Sequence, residues 1–196
     1  MRFAFPAWDV GKDFLEERPA PSARDGDAGW KRETTMAKNA GIPTIAANLA
    51  VLHHVSLPVS DLARSVAFYR DVLGLRQIDR PGFDFKGAWF AIGSEQQIHL
   101  IKDEGLTFRT GKGIDGRDIH FAIRVGSYRS ALLHLIAKGY GMQGKPGLDE
   151  FQSLKVNPRA AAGFPQIYII DPDRNLIEIN SDELDITEDE ISSLLH

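Results

Sequence analysis

"LHHVSLPVSDLARSVAFYRDVLGL", residues 52–75, decides the fold because its period changes halfway along. From His54 to Val59 the residues alternate. Val55, Leu57 and Val59 take one side and His54, Ser56 and Pro58 the other, the spacing of a half-buried strand. Beyond "SD" the spacing turns helical, with Leu62, Val66, Tyr69 and Leu73 on one face. Ser60 or Asp61 is placed to cap the start, and Gly74 suits the left-handed position after the last turn. Two further strands, "GAWFAIG" (87–93) and "QIHLI" (97–101), follow around the turn-like "GSEQ".

The second half repeats this order. "DIHFAIRV" (118–125) alternates Ile119, Phe121, Ile123 and Val125 against His120, Ala122 and Arg124, and "GSYRSALLHLIAKGY" (126–140) reads as a helix ending at Gly139. The strands "QIYII" (166–170) and "NLIEIN" (175–180) close the copy around the turn "DPDR". His54 and His120 are 66 residues apart, and Gly74 and Gly139 are 65 apart. Such near-constant offsets indicate an internal duplication. With only two copies the product is a pseudo-symmetric pair of modules, about 49–104 and 117–182, in an α+β fold.

Each copy opens on a histidine, His54 or His120, and closes on a polar residue among aliphatics, His99 or Glu178. All four lie opposite the apolar faces that pack on the helices. Sheets curling toward one another would aim them at a common axis. Burying such groups without partners costs about 1–3 kcal/mol each, and a divalent cation removes that cost by coordination. Imidazole with carboxylate suits Zn, Ni, Fe or Mn better than Ca or Mg. A hydrogen-bonded cluster, or a polar cavity that takes a ligand without metal, answers the same pattern. No short motif such as HExxH is present to decide between them.

Composition narrows the partners. The 196 residues are 43% hydrophobic, and 23 Lys and Arg stand against 27 Asp and Glu, a formal charge of −4. That describes one ordinary domain or two small modules sharing a core, without the basic surface that nucleic acid or an anionic membrane requires. Cysteine is absent, which excludes thiolate metal sites and thiol nucleophiles. No apolar run approaches the ~18 residues of a membrane span, and "MRFAFPAWDVGKDFLEERP" lacks the apolar stretch of a secretory signal, so a cytoplasmic location is expected. Residues 1–48 are rich in Pro, Gly, Ala and charge without periodicity and read as a flexible tail, with Met36 a candidate natural start.

The stretches "LHHVSLPVSDLARSVAFYRDVLGL", "DIHFAIRV" and "IYIIDPDRNLIEIN" together resemble the glyoxalase/bleomycin-resistance/dioxygenase group, the vicinal oxygen chelate superfamily, over residues 50–182. "RPGFDFKGAWFAIGSEQQIHLI" further resembles its glyoxalase I-like branch. The resemblance implies paired βαβββ modules forming a cupped sheet around a divalent metal, with His54, His99, His120 and Glu178 at the ligand positions. It implies a cation that chelates two adjacent substrate oxygens and stabilises an enediolate, with glutathione a candidate co-substrate, and a homodimer. The activity it implies is a glyoxalase I-like lyase or isomerase with Glu178 as ligand and proton carrier.

Departures matter here. Glyoxalase I normally has Glu where His99 stands. The extradiol dioxygenases resemble the chain in His54, His120 and Glu178, but a histidine expected shortly before Tyr168 is missing. Fosfomycin-type transferases and methylmalonyl-CoA epimerase share part of the set, and metal-free binding members of the superfamily form a further alternative.

Other residues are candidates for substrate contact. Arg124 shares the face of His120, Gln97 shares that of His99, and Tyr168 offers a hydroxyl from "QIYII". Trp89 and Phe90 take opposite faces of one strand, so one is core and the other walls the pocket. His53 and His134 read as structural and solvated. Residues 141–165 form a long, breaker-rich stretch expected to be a loop over the site, with Lys155 and Arg159 able to meet an anion. "TEDEISSLLH" (187–196) carries a capping-box pattern, and its helix, within 183–196, is expected to dock Ile191 and Leu194 on the body or a second subunit.

Overall fold

The first alternating run forms β1, His54–Val59, which feeds α1, Leu62–Ala67, in a computed structural model that describes residues 51–103, 105, 109 and 111–196. The expected tail, 1–48, and Met36 lie outside the described residues. Asp61 caps α1 by accepting from the Arg64 amide at 3.0 Å. The helix continues through a π-helical turn, Phe68–Val72, and Gly74 follows at φ 69°, a conformation that costs glycine nothing. Then come β2 (Arg76–Ile78), β3 (Gly87–Ile92) and β4 (Gln96–Lys102). They form a four-stranded sheet in the order β1-β4-β3-β2, with β1 parallel to β4 and the other pairs antiparallel.

The second copy repeats this wiring and adds one short strand. It comprises β5 (His120–Arg124), α2 (Tyr128–Ala137), β6 (Gly141–Met142), β7 (Ser153–Asn157), β8 (Gln166–Ile170) and β9 (Leu176–Asn180), in the order β5-β9-β8-β7-β6. Again the first strand runs parallel to the last. The fold is therefore α+β, two sheets that share one four-strand order, the second extended at its edge by β6.

Residues 141–165, expected as a loop, instead hold β6, a 3-10 turn (Glu150–Gln152) and β7. Leu154 is fully buried, and Lys155 pairs opposite Tyr168. Five residues between Gly- and Pro-rich flanks are too few to announce a strand.

The apolar faces of both sheets and both helices build one core. Phe68, Phe90 and Ile98 of the first copy share it with Leu132, Leu154 and Ile177 of the second. Each such side chain contributes about 1.5–3 kcal/mol by burial.

Polar bonds tie the copies as well. Tyr69 Oη donates to Asp171 Oδ2 at 2.9 Å, and the Ser60 amide and Ser65 hydroxyl donate to Asp173. Burial pushes the Asp171 carboxyl up from its ordinary value, against the pull of Asn175, Tyr69 and the backbone. His134, expected to be solvated, is exposed but brings Nε2 to 2.7 Å from the Val72 carbonyl.

The C-terminal helix α3, Glu188–Leu195, has the full Thr187/Glu190 capping box. Its buried contacts are Ile191 and Leu195, while Leu194 is 38% exposed. Positions four apart share a helix face, so Leu195 replaces the expected Leu194.

Candidate functional site

Register places the chemistry. His99 on β4 lies opposite Ser56 on one side and Trp89 on the other. Glu178 on β9 lies opposite Ala122 and Tyr168. Ser56 and Ala122 each stand two residues beyond the opening histidine of their copy, so His99 and Glu178 are equivalent positions. Trp89 and Tyr168 are equivalent neighbours.

Around Glu178 the partners are polar. Its Oε2 accepts from Tyr168 Oη at 2.6 Å and from Gln166 Nε2 at 3.2 Å, and its Oε1 accepts from Asn180 Nδ2 at 2.6 Å. The residue is buried, and the bonds hold the carboxylate as an acceptor. Burial and the adjacent carboxylate together push the Tyr168 phenol well above its ordinary value, so it stays a donor.

His120 Nε2 sits 3.3 Å from Glu178 Oε2, and its Nδ1 lies 2.8 Å from the Asp118 carbonyl. A carbonyl only accepts, so Nδ1 carries a proton and Nε2 is the nitrogen turned to the carboxylate. Two acceptors at that distance need a proton or a cation between them.

Around His99 the partners are rings. Trp89 stacks on it with centroids 4.0 Å apart and 6° between planes, and His54 stacks on the other side at 4.3 Å and 15°. His99 Nε2 is 2.7 Å from Gln97 Oε1, an acceptor, so that nitrogen is protonated. Burial, with positive charge from His54, His53 and Arg80, holds the His99 pKa below the ordinary histidine value. His53 Nδ1 lies 3.0 Å from His54 Nδ1.

The expected four-residue metal shell therefore stands as two pairs. An imidazole nitrogen binds a cation in the plane of its ring, and nearly parallel planes about 4 Å apart cannot both contain one ion. Among the described residues no three His, Asp or Glu side chains come together as a cation site. His120 with Glu178 does fit one edge of a coordination shell, which asks for at least three protein ligands in zinc enzymes.

A cavity of about 860 Å³ runs along β1 and β5, and both His54 and His120 line it, with Gln97, Arg124, Phe121 and Ile123. Its size is that of a small-molecule pocket, ~300–1,000 Å³. Glu178 and His99 are not in its lining. Arg124 pairs with Asp182 and lies over the Phe164 ring at 4.8 Å, so its charge is already engaged. Arg159 is likewise paired, with Glu188. A second cavity, about 530 Å³, is lined by Tyr168, Gln166, Asn157 and Lys155, with Arg117 and Asp115 at its side. Gly116 lies so close that a Cβ there would stand 2.8 Å from the Tyr168 ring.

Of the strand pair Trp89 and Phe90, Phe90 is the core residue and Trp89 faces the histidines. Gln166 and Asn180 were not among the sequence candidates. Their signal was available, because each stands two residues from Tyr168 or Glu178 on the same strand face.

Residues 51–179 match the family model described as Glyoxalase/Bleomycin resistance protein/Dioxygenase superfamily. A curated relative, "Glyoxylase I 4" of Arabidopsis thaliana, is 30% identical over 156 residues, 77% of this chain and 80% of its own. A glyoxalase family protein from Bacillus anthracis shares the fold at a TM-score of 0.51 and 20% identity, covering 68% of this chain and 96% of its own. A lactoylglutathione lyase from Agrobacterium tumefaciens is similar at a TM-score of 0.47 and 21% identity, over 67% of this chain and 92% of its own.

Proposed function

We propose a function from one premise: the chain belongs to the glyoxalase/bleomycin resistance protein/dioxygenase superfamily. The reading is a glyoxalase I-like lyase or isomerase for a small substrate with adjacent oxygens, a hemithioacetal or a hydroxy-carbonyl. The observation that carries it is the Glu178 carboxylate, held by three donors and paired with Nε2 of His120. In this reading Glu178 is the proton carrier, acting through His120, which lines the larger cavity with a quarter of its side chain open to solvent and is the end of the pair that substrate meets.

A divalent cation of the Zn, Ni, Fe or Mn group would supply Lewis-acid polarisation of the substrate oxygens when bound. His120 and Glu178 would hold it on this side. The first-copy face of a second subunit is a source for the donors that one chain leaves apart, so a homodimer belongs to the proposal.

Methylglyoxal with glutathione, followed by thioester absorbance, tests the reading in protein loaded in turn with Zn, Ni, Mn or Fe. Turnover is expected with at least one metal, falling by at least about 100-fold in Glu178→Gln. No thioester with any metal would remove the lyase. A second reading, a small-molecule binding protein without catalysis, draws support from the Trp89–His99–His54 stack, which occupies with rings the place where the other copy has its carboxylate.

A further inference from the structure

The ring stack does not end at Trp89. Phe83 lies 6.0 Å from Trp89, and Phe85 stacks on Phe83 at 5.1 Å and 28°. Five rings therefore run in contact from Phe85 through Phe83, Trp89 and His99 to His54. At the outer end the two phenyl rings are exposed, Phe83 by 47% and Phe85 by 41%. They stand in the segment 79–86 between β2 and β3, where burial in the core does not require them.

Arg80 is set among these rings. Its guanidinium carbon is 4.5 Å from the Phe83 centroid and 4.8 Å from that of Phe85, and its Nη2 donates to the Phe85 carbonyl at 2.8 Å. Its Nε is buried and without a hydrogen-bond partner. Asp79 and Asp84 flank it in sequence, yet among the described residues Arg80 makes no ion pair. A buried, unsatisfied donor on a cation is costly where it serves nothing. Packing explains one side of the guanidinium and leaves its charge unanswered.

We propose that segment 79–86 and the rings behind it form a recognition platform for a planar conjugated anion, of the aryl carboxylate or aryl α-keto acid class. The flat part of such a ligand lies on the phenyl rings by offset or edge contact. Its carboxylate meets the planar guanidinium fork, which suits that geometry better than an ammonium does. The platform adjoins the His99 side of the molecule and needs neither a metal nor turnover. It stands whether or not the chain is a lyase.

Isothermal titration of the full chain, stripped of metal by a chelator, tests it with phenylglyoxylate as probe. Glyoxylate keeps the charge without the ring, and benzyl alcohol keeps the ring without the charge. Phenylglyoxylate is expected to bind at least tenfold more tightly than either. Arg80→Gln is expected to weaken phenylglyoxylate at least tenfold and leave benzyl alcohol unchanged, with Phe83→Leu weakening both phenyl probes. Arg80→Lys, which retains charge but not the fork, is expected to lose at least threefold. It serves as the reading if the thermal midpoint shows that Arg80→Gln does not fold. Equal affinities for phenylglyoxylate and glyoxylate, or an Arg80 variant that folds and binds like the parent, would overturn the platform.

Discussion

His99 and Glu178 hold the same place in two copies of one motif, and their surroundings have diverged in kind. Around Glu178 the neighbouring strand β8 and its own strand bring hydrogen-bond donors, and the side chain is fixed by direction and charge. Around His99 the neighbours bring flat faces, and the side chain is fixed by stacking and one bond to Gln97. The backbone wiring is shared, since both positions are placed by a parallel first strand and an antiparallel third. The same scaffold thus holds a hydrogen-bonded carboxylate in one half and a ring-stacked imidazole in the other. What differs is the side chain one strand over, Tyr168 against Trp89.

The strongest way to break this contrast is activity. Glu178→Gln is expected to lose at least about 100-fold in turnover while His99→Gln loses less than about tenfold; equal losses in the thioester assay would make the halves functional equals. Stability comes next. Glu178→Ala leaves the Tyr168, Gln166 and Asn180 donors unmatched in a buried place and is expected to cost about 2–4 kcal/mol in urea denaturation.

A smaller effect is expected with pH. Because the folded His99 pKa is depressed, the unfolded chain binds the extra proton more readily as pH falls through the ordinary histidine range near ~6.5. The contribution of this group is therefore complete above that range and declines below it. Unfolding midpoints of parent and His99→Gln should converge as pH is lowered from neutral toward 5, and parallel curves would show that the stack does not govern titration. The smallest change is Tyr168→Phe, which removes one of three bonds to the carboxylate and is expected to cost about 1.5 kcal/mol.

How much of this could be read in the residues follows the range of the forces involved. Alternation and helical spacing are local, so β1, α1, β5 and α2 and the shared face of His54, Ser56 and Pro58 were legible. So was the duplication, since the offsets of His54 to His120 and Gly74 to Gly139 need only counting. The three-residue β2 and two-residue β6 were not, because strands that short carry no period. Tyr168 was legible as a polar candidate, whereas Gln166 and Asn180, the other donors on Glu178, lay within reach of the same alternation rule but carry no distinctive chemistry. The stacking of His99 between His54 and Trp89 was beyond reach, since alternation says which face a ring is on and nothing of its tilt. So were the bonds from Tyr69 to Asp171 and Ser65 to Asp173, which span more than a hundred residues.

Those last bonds carry a consequence for the duplication itself. The "DPDR" turn of the later repeat is anchored on the helix of the earlier one, and no matching anchor runs the other way among the described residues. A single repeat made alone would lose the bonds by which the Ser60, Ser65 and Tyr69 hydroxyls reach the Asp173 and Asp171 carboxylates. The repeats have become dependants of one another, so a recombinant that exchanges them or doubles either one would inherit the wiring of the sheets but not the clasp that joins them.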